Sequence, residues 1–238
     1  MSARPTVVAV SVGKPADVPY RSGTVRTAFV KHEQKGPVAV GPLGLAGDEQ
    51  GDQIRHGGPD KAILVYAEEH YPYWRQRLGR DVPVPGFGEN LTVRGLTEEQ
   101  ACIGDVLQIG QVVAEVTQAR QPCFKIAARY TLPKIAKWVQ DAGFTGYYLR
   151  VLEPGSVQAG DSVERLVSPH PALPISEINR LLYRDRRDGA GMRRALAAEQ
   201  FAAQQRAVFE QRLGGPLEDF EIRLYGSDEV LTNAADAG

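Results

Sequence analysis

The residues best suited to chemistry are Arg120-Gln121-Pro122-Cys123-Phe124-Lys125. A valine-rich strand pattern, Val112 to Thr117, precedes them, and a helix-like run, Ile126 to Tyr130, follows. Cys123 therefore belongs at a strand-to-helix corner. A thiol at a helix N-terminus, close in sequence to Arg120 and Lys125, is expected to ionise more readily than usual. The thiolate is the form that attacks electrophiles or ligates soft metals. The competing reading is structural: cysteine also serves as a small apolar residue filling a buried corner.

A second set runs from Gly47 to Lys61, GDEQGDQIRHGGPDK. Gly57 and Gly58 have no side chains to keep an anion from the backbone amides, and Arg55, His56 and Lys61 add donors and charge. A tight turn with His56 bonded to a carboxylate would use the same residues. The glycine spacing matches neither a P-loop nor a dinucleotide fingerprint. A third set is Gly88-Glu89-Asn90-Leu91-Thr92. There Asn90 can both donate to and accept from a heterocycle edge, or simply serve strand-entry turn chemistry. No His-Glu-x-x-His or Cys-x-x-Cys pattern supports zinc. Ser156 and Ser162 lie in turns without a nearby histidine, so nothing supports a serine hydrolase. His70 reads as a partly exposed packing residue on a helix, and Cys102 as core. A Cys102–Cys123 disulfide is left open, with a reducing cytoplasm the simpler setting.

The elements that must position these residues are mostly short strands. Thr6–Val12, 27–30, 38–40, 62–66, 89–93, 106–109, 112–117, 146–152 and 163–167 carry strand patterns. Helical patterns cover 68–78, 126–130 and 132–142. Many strands with few helices predict a mainly β fold with α: a closed or nearly closed β-barrel with helical excursions. The proline-rich stretch Ser168 to Pro174 reads as a rigid linker. Beyond it, helices starting at Glu177, Gly189 and Glu199, with Ser176 and Asp188 as caps, predict a small C-terminal three-helix bundle. The expected division is 1–170 and 171–238, the latter ending in an acidic, partly loose tail.

Bulk properties narrow the classes. The 238 residues are 42% hydrophobic and 24% charged, with net charge -1 and pI about 6.4. No whole-chain field favours nucleic acid or anionic membrane, and no apolar run is long enough to span a bilayer. No apolar signal region follows Met1, so a cytoplasmic location is expected. The bundle holds eight arginines against five acids between Ser176 and Leu213. That is modest for a DNA reader, and nucleic acid is not the expected partner.

Taken together, Gly47–Asp52 with His56–Ala62, Phe87–Leu91, Arg120–Cys123, and Thr145–Val151 with Ala159–Asp161 resemble, in order and spacing, the motifs of the MOSC domain family. The C-terminal helices are similar to those of its YiiM-type branch. The resemblance implies a β-barrel that binds the molybdenum cofactor (molybdopterin), with Cys123 as the metal ligand. Arg55, His56, Gly57, Gly58, Lys61, Asn90 and Arg120 would then belong to the cofactor pocket. The implied activity is reduction of N-hydroxylated compounds such as hydroxylamino-purine bases, a detoxification independent of pyridoxal phosphate. A non-catalytic carrier of the cofactor or of sulfur is the alternative. No flavin, haem or iron–sulfur motif is visible, so the electrons would come from a separate reductase. Homodimerisation through exposed strand edges is a further expectation.

Overall fold

The computed structural model describes residues 4–49 and 57–226. Thirteen strands occur among them. β1 (Thr6–Val12), β2 (Ala16–Tyr20), β3 (Gly23–Thr27), β4 (His32–Glu33), β5 (Val38–Gly41) and β6 (Gly44–Leu45) come first. β7 (Ile63–Ala67), β8 (Leu91–Arg94), β9 (Val106–Ile109) and β10 (Val112–Ala119) follow, then β11 (Tyr147–Glu153), β12 (Gly155–Val157) and β13 (Val163–Val167). Eight of them form one sheet in the order β13-β9-β10-β11-β7-β8-β1-β4. All its pairs are antiparallel except β7–β8. A parallel pair needs a crossover, and residues 68–90, with helix α1 (Tyr71–Leu78), supply it.

The expected barrel is replaced by a large mixed sheet that, among the described residues, no strand ladder closes. The start of β1 is brought to the segment entering β13 by an isolated Thr6–Ser162 bridge and three flanking backbone bonds, Val7 N–H to Asp161 O, Gly160 N–H to Val7 O and Val163 N–H to Pro5 O. The expected strand at 27–30 stops at Thr27. There the Thr27 hydroxyl takes the Phe29 N–H (3.1 Å), a local bond that competes with a ladder.

Two helices follow the Cys123 corner, α2 (Lys125–Tyr130) and α3 (Ile135–Ala142). The C-terminal helices are α4 (Ile175–Tyr183), α5 (Gly189–Leu196), α6 (Ala203–Gly214) and α7 (Glu221–Tyr225). Asp188 caps α5 as expected, accepting from Gly191 N–H at 2.8 Å. Ser176 does not cap α4, whose N-cap position falls on Pro174. The stretch before α4 is tied down too: Ile103 N–H bonds Leu173 O, and Cys102 bridges Pro174. Ile175, Ile178, Leu181 and Phe209 continue the apolar core of the sheet. A second, aromatic core joins Tyr66, Tyr71, Trp74, Phe87 and Tyr130 beneath α1 and α2.

This packing explains the length of β10. Its C-terminal half is buried on both faces, Thr117 and Gln118 included. The segment entering α6 covers it: Ala202 N–H donates to Thr117 O, and the Gln205 amide makes two bonds to the Ala119 backbone. The polar residues Thr117 and Gln118 can therefore continue the strand to Ala119.

Candidate functional site

The chain leaves the sheet where Arg120 N–H donates to Gly146 O (3.0 Å), and it enters α2 where Ile126 N–H donates to Cys123 O (3.1 Å). Cys123 lies between these two bonds, at the corner where two clefts meet. Lys61, Cys123 and Tyr148 line both. The inner cleft, about 80 Å³, is also walled by Lys31, Asp48, Asn90, Arg120 and Lys125. The outer one, about 320 Å³, lies under the C-terminal segments. Together they offer the few hundred cubic ångströms that a cofactor-sized ligand needs.

The inner wall is strongly electrostatic. Lys31 and Asp48 form a buried ion pair. Burial lowers the Lys31 pKa, and the Asp48 carboxylate opposes that shift. Asp48 also accepts from Gly13 N–H (2.8 Å) and from the Asn90 side-chain amide (2.9 Å). Lys61 donates to Gln204 Oε1 of α6 and lies 6.0 Å from the centre of the Tyr148 ring. Burial pushes the Tyr148 phenol up to about 12, with Arg120 opposing and Cys123 and Asp48 adding to the rise. That phenol is a hydrogen-bond donor at neutral pH. The Arg120 guanidinium lies 5.8 Å over the Phe29 ring. Its residue is 4% exposed, and Nη1 is buried with no hydrogen-bond partner among the described residues.

Backbone geometry shapes the same walls. Gly58, at the entry to the turn that carries Lys61, has φ 94°, a left-handed conformation that favours glycine. Gly88 has φ 79°, and a Cβ would come within 2.7 Å of the Phe29 ring. Only glycine lets Phe29 lie where it supports Arg120.

Of the residues expected in the pocket, Lys61, Asn90, Arg120 and Cys123 line the inner cleft. Gly57 and Gly58 lead into the 3-10 turn that ends at Lys61. Arg55 and His56 lie outside the described residues. Asn90 has a different use from the heterocycle contact considered for it. Its amide accepts from Leu64 N–H (3.0 Å) and donates to Ser11 O (3.3 Å) and Asp48, so it fixes the cleft wall. Lys31, Gln118 and Gln204 were not singled out by the sequence reading. Gln205 carried a signal in falling on the same helical face as Phe209 and Arg212, but not one that named a partner.

The other candidates fall away from this corner. The two cysteines are not joined. Cys102 has its pKa raised by burial and then by Asp105, and its thiol approaches the Gln100 and Pro171 carbonyls. His70 is buried rather than partly exposed, bonded to Glu98 at 2.6 Å and stacked on Phe144. In the bundle, Arg180 is bonded to Glu177, Asp185 and Asp188, and Arg212 to Glu218 and two carbonyls.

A molybdenum cofactor fits these residues on chemical grounds. Cys123 offers a soft sulfur donor, and the orphaned Arg120 Nη1 offers an unmet demand for an anion such as a phosphate. Among the described residues no three His, Cys, Asp or Glu side chains converge as a metal site. A metal held by Cys123 would need its other donors from outside that set, as a metal within an organic cofactor has.

The chain belongs to the MOSC family: residues 52–164 match the MOSC domain, and residues 173–215 match the YiiM-like, 3-alpha helix domain. It is 38% identical over 209 residues to YflK of Bacillus subtilis, described as an uncharacterized protein, covering 88% of this chain and 95% of that one. The crystal structure of YiiM from Geobacillus stearothermophilus superposes with a TM-score of 0.76 at 34% identity, over 88% of this chain and 100% of that one. A protein of Gibberella moniliformis named "Reductase" is 33% identical over 164 residues, 67% of this chain but 29% of its own length. No helix among the described residues is long and apolar enough to cross a membrane.

Proposed function

We propose that this protein holds a molybdenum cofactor at the Cys123 corner and reduces N-hydroxylated compounds, hydroxylamino-purine bases among them. The observation that carries this reading is a cysteine sharing a cleft with a buried guanidinium, Arg120, whose Nη1 has no partner among the described residues. A buried cationic donor left unmet costs folding energy, and an anionic ligand offsets that cost. MOSC membership, and the name "Reductase" carried by the Gibberella relative, support the same direction.

When bound, the cofactor supplies the two-electron redox chemistry. The chain's residues do the positioning. Cys123 would ligate the metal. Arg120 and Lys61, with Arg55, His56 and the backbone of Gly57 and Gly58, would hold the phosphate. Asn90 keeps Asp48 and Lys31 in place on the wall, and the protonated Tyr148 hydroxyl is available as a donor. Overall, an N–OH compound takes up two electrons and two protons and yields the amine and water. The electrons would be delivered by a separate electron-transfer reductase.

The test is elemental analysis of protein made in a host that synthesises the cofactor. Wild type should retain molybdenum, and Cys123→Ala should lose about tenfold or more of it. Equal trace levels in both, after purification conditions shown to preserve bound cofactor, would sink the reading. Loaded protein that fails to reduce 6-hydroxylaminopurine with reduced methyl viologen would leave the carrier function instead.

A further inference from the structure

The outer cleft has a composition the cofactor does not explain. One side comes from the sheet and the corner: Gln118, Phe124 and Tyr148. The other comes from the C-terminal segments: Gln204 of α6, Asp219, whose carboxylate accepts from Glu221 N–H (2.9 Å), and Ile222 and Arg223 of α7. Helix α7 is fastened to the corner. Phe124 N–H donates to Arg223 O (2.9 Å), the Arg223 guanidinium bonds Pro122 O and Gln140 Oε1, and Tyr20 OH donates to Tyr225 O (2.8 Å). What was expected to be a partly loose tail is, up to Gly226, a wall of this chamber.

The hydrogen-bonding state of that wall has a direction. Lys61 is bonded to Gln204, and Arg223 to Pro122 and Gln140, so both cations have partners. Gln118 is 2% exposed, and its Oε1 is buried with no partner among the described residues. The open valence is an acceptor. Gln118 shares the chamber lining with two aromatic residues, Phe124 and Tyr148, and an aliphatic one, Ile222, that is 60% exposed.

We propose that the outer chamber is the substrate subsite, and that it selects flat, uncharged nitrogenous compounds presenting an N–H donor to Gln118 Oε1. The inference rests on Cys123 being the cofactor-bearing corner, since Cys123 lies on the boundary of both clefts. The inner cleft takes the anionic cofactor. The outer one takes a neutral ring compound, and the C-terminal helices set its specificity by forming half the wall.

Benzamide and acetophenone test this, because they have nearly the same shape and differ in an NH₂ against a CH₃ group. Ligand-observed NMR titrations of the full-length protein should show benzamide binding about five- to tenfold tighter, the weight of one hydrogen bond between neutral groups. Gln118→Leu should erase that preference while molybdenum content stays at the wild-type level. Ile222→Trp, at the exposed part of the wall, should weaken both ligands by filling the chamber. Equal affinities in wild type, or a preference that survives in folded Gln118→Leu, would overturn the proposal. Should Gln118→Leu fail to fold, unchanged titrations in Ile222→Trp would overturn it equally. Absence of molybdenum from wild type with the benzamide preference intact would sink the cofactor reading alone.

Discussion

The Glu89–Asn90–Asp48 group and the Gln118–Arg120 group are both buried and polar, and folding treats them in opposite ways. In the first, the bonds are made. Glu89 accepts from Phe87 N–H (2.8 Å), the Thr92 hydroxyl (3.1 Å), Gly86 N–H (3.3 Å) and the Tyr71 hydroxyl. Its neighbour Asn90 bonds Asp48 in a second chain, which ends on Lys31. In the second, Gln118 and Arg120 are 2% and 4% exposed, yet each keeps a buried polar atom without a partner among the described residues. Satisfied networks make a wall rigid. Unsatisfied atoms cost stability and are where a ligand has most to gain. The contrast separates the residues that build this site from those that would contact what enters it.

The comparison breaks most visibly at Glu89. Glu89→Leu removes the shared acceptor of two backbone N–H groups and two hydroxyls in a fully buried place. Stranded donors of this kind cost roughly 1–3 kcal/mol each, so a loss of about 4 kcal/mol or more is expected. By differential scanning calorimetry that is a Tm lower by about 10 °C for a chain of this size. A change of under 2 °C would show that the network is not what holds the wall.

Arg120→Met gives the opposite signature. It removes a buried charge with an orphaned Nη1, and Met keeps contact with the Phe29 ring. Thermal stability should stay within about 1 kcal/mol of wild type or rise, because the desolvation cost disappears. Molybdenum retention should fall by about tenfold, the weight of a hydrogen bond from a charged donor. A variant that loses stability and keeps its metal would place Arg120 with the builders of the site.

The two groups were not equally legible in the sequence. Cys123, Arg120, Lys61 and Asn90 could be brought to one cleft because each lies in a contiguous segment whose residue types carry the signal. The state of the Asn90 amide could not be read, because it depends on Leu64, Ser11 and Asp48 being close in space. The outer chamber was hidden for the same reason: Gln204 meets Lys61 across 143 positions, and Arg223 meets Pro122 across 101. Hydrophobic periodicity finds an element's buried face but does not name what covers it. The segment from Phe220 to Tyr225 is too short to carry a helical pattern, and it lies within an acidic stretch. Strand positions were largely legible. Barrel closure was not, since it turns on how β1 meets β13, for which neither strand carries a pattern.

A third cluster tests whether saturation alone confers stability, because it is saturated and wet. Arg180 bonds Glu177, Asp185 and Asp188 at the surface of the bundle, with its side chain 32% exposed. The hydrogen bond from Arg180 holds the Glu177 carboxyl below its usual range. A carboxylate with a lowered folded pKa contributes stability that is present above its unfolded value, about 4.3. That contribution is lost as pH falls through the folded value. Water can replace bonds at an exposed cluster, so Arg180→Met should cost no more than about 1 kcal/mol at pH 7. The difference from wild type should shrink as urea melts are repeated from pH 6 down to pH 3. A penalty at pH 7 as large as that of Glu89→Leu, or one that does not diminish in acid, would mean that bond count and not burial governs these networks.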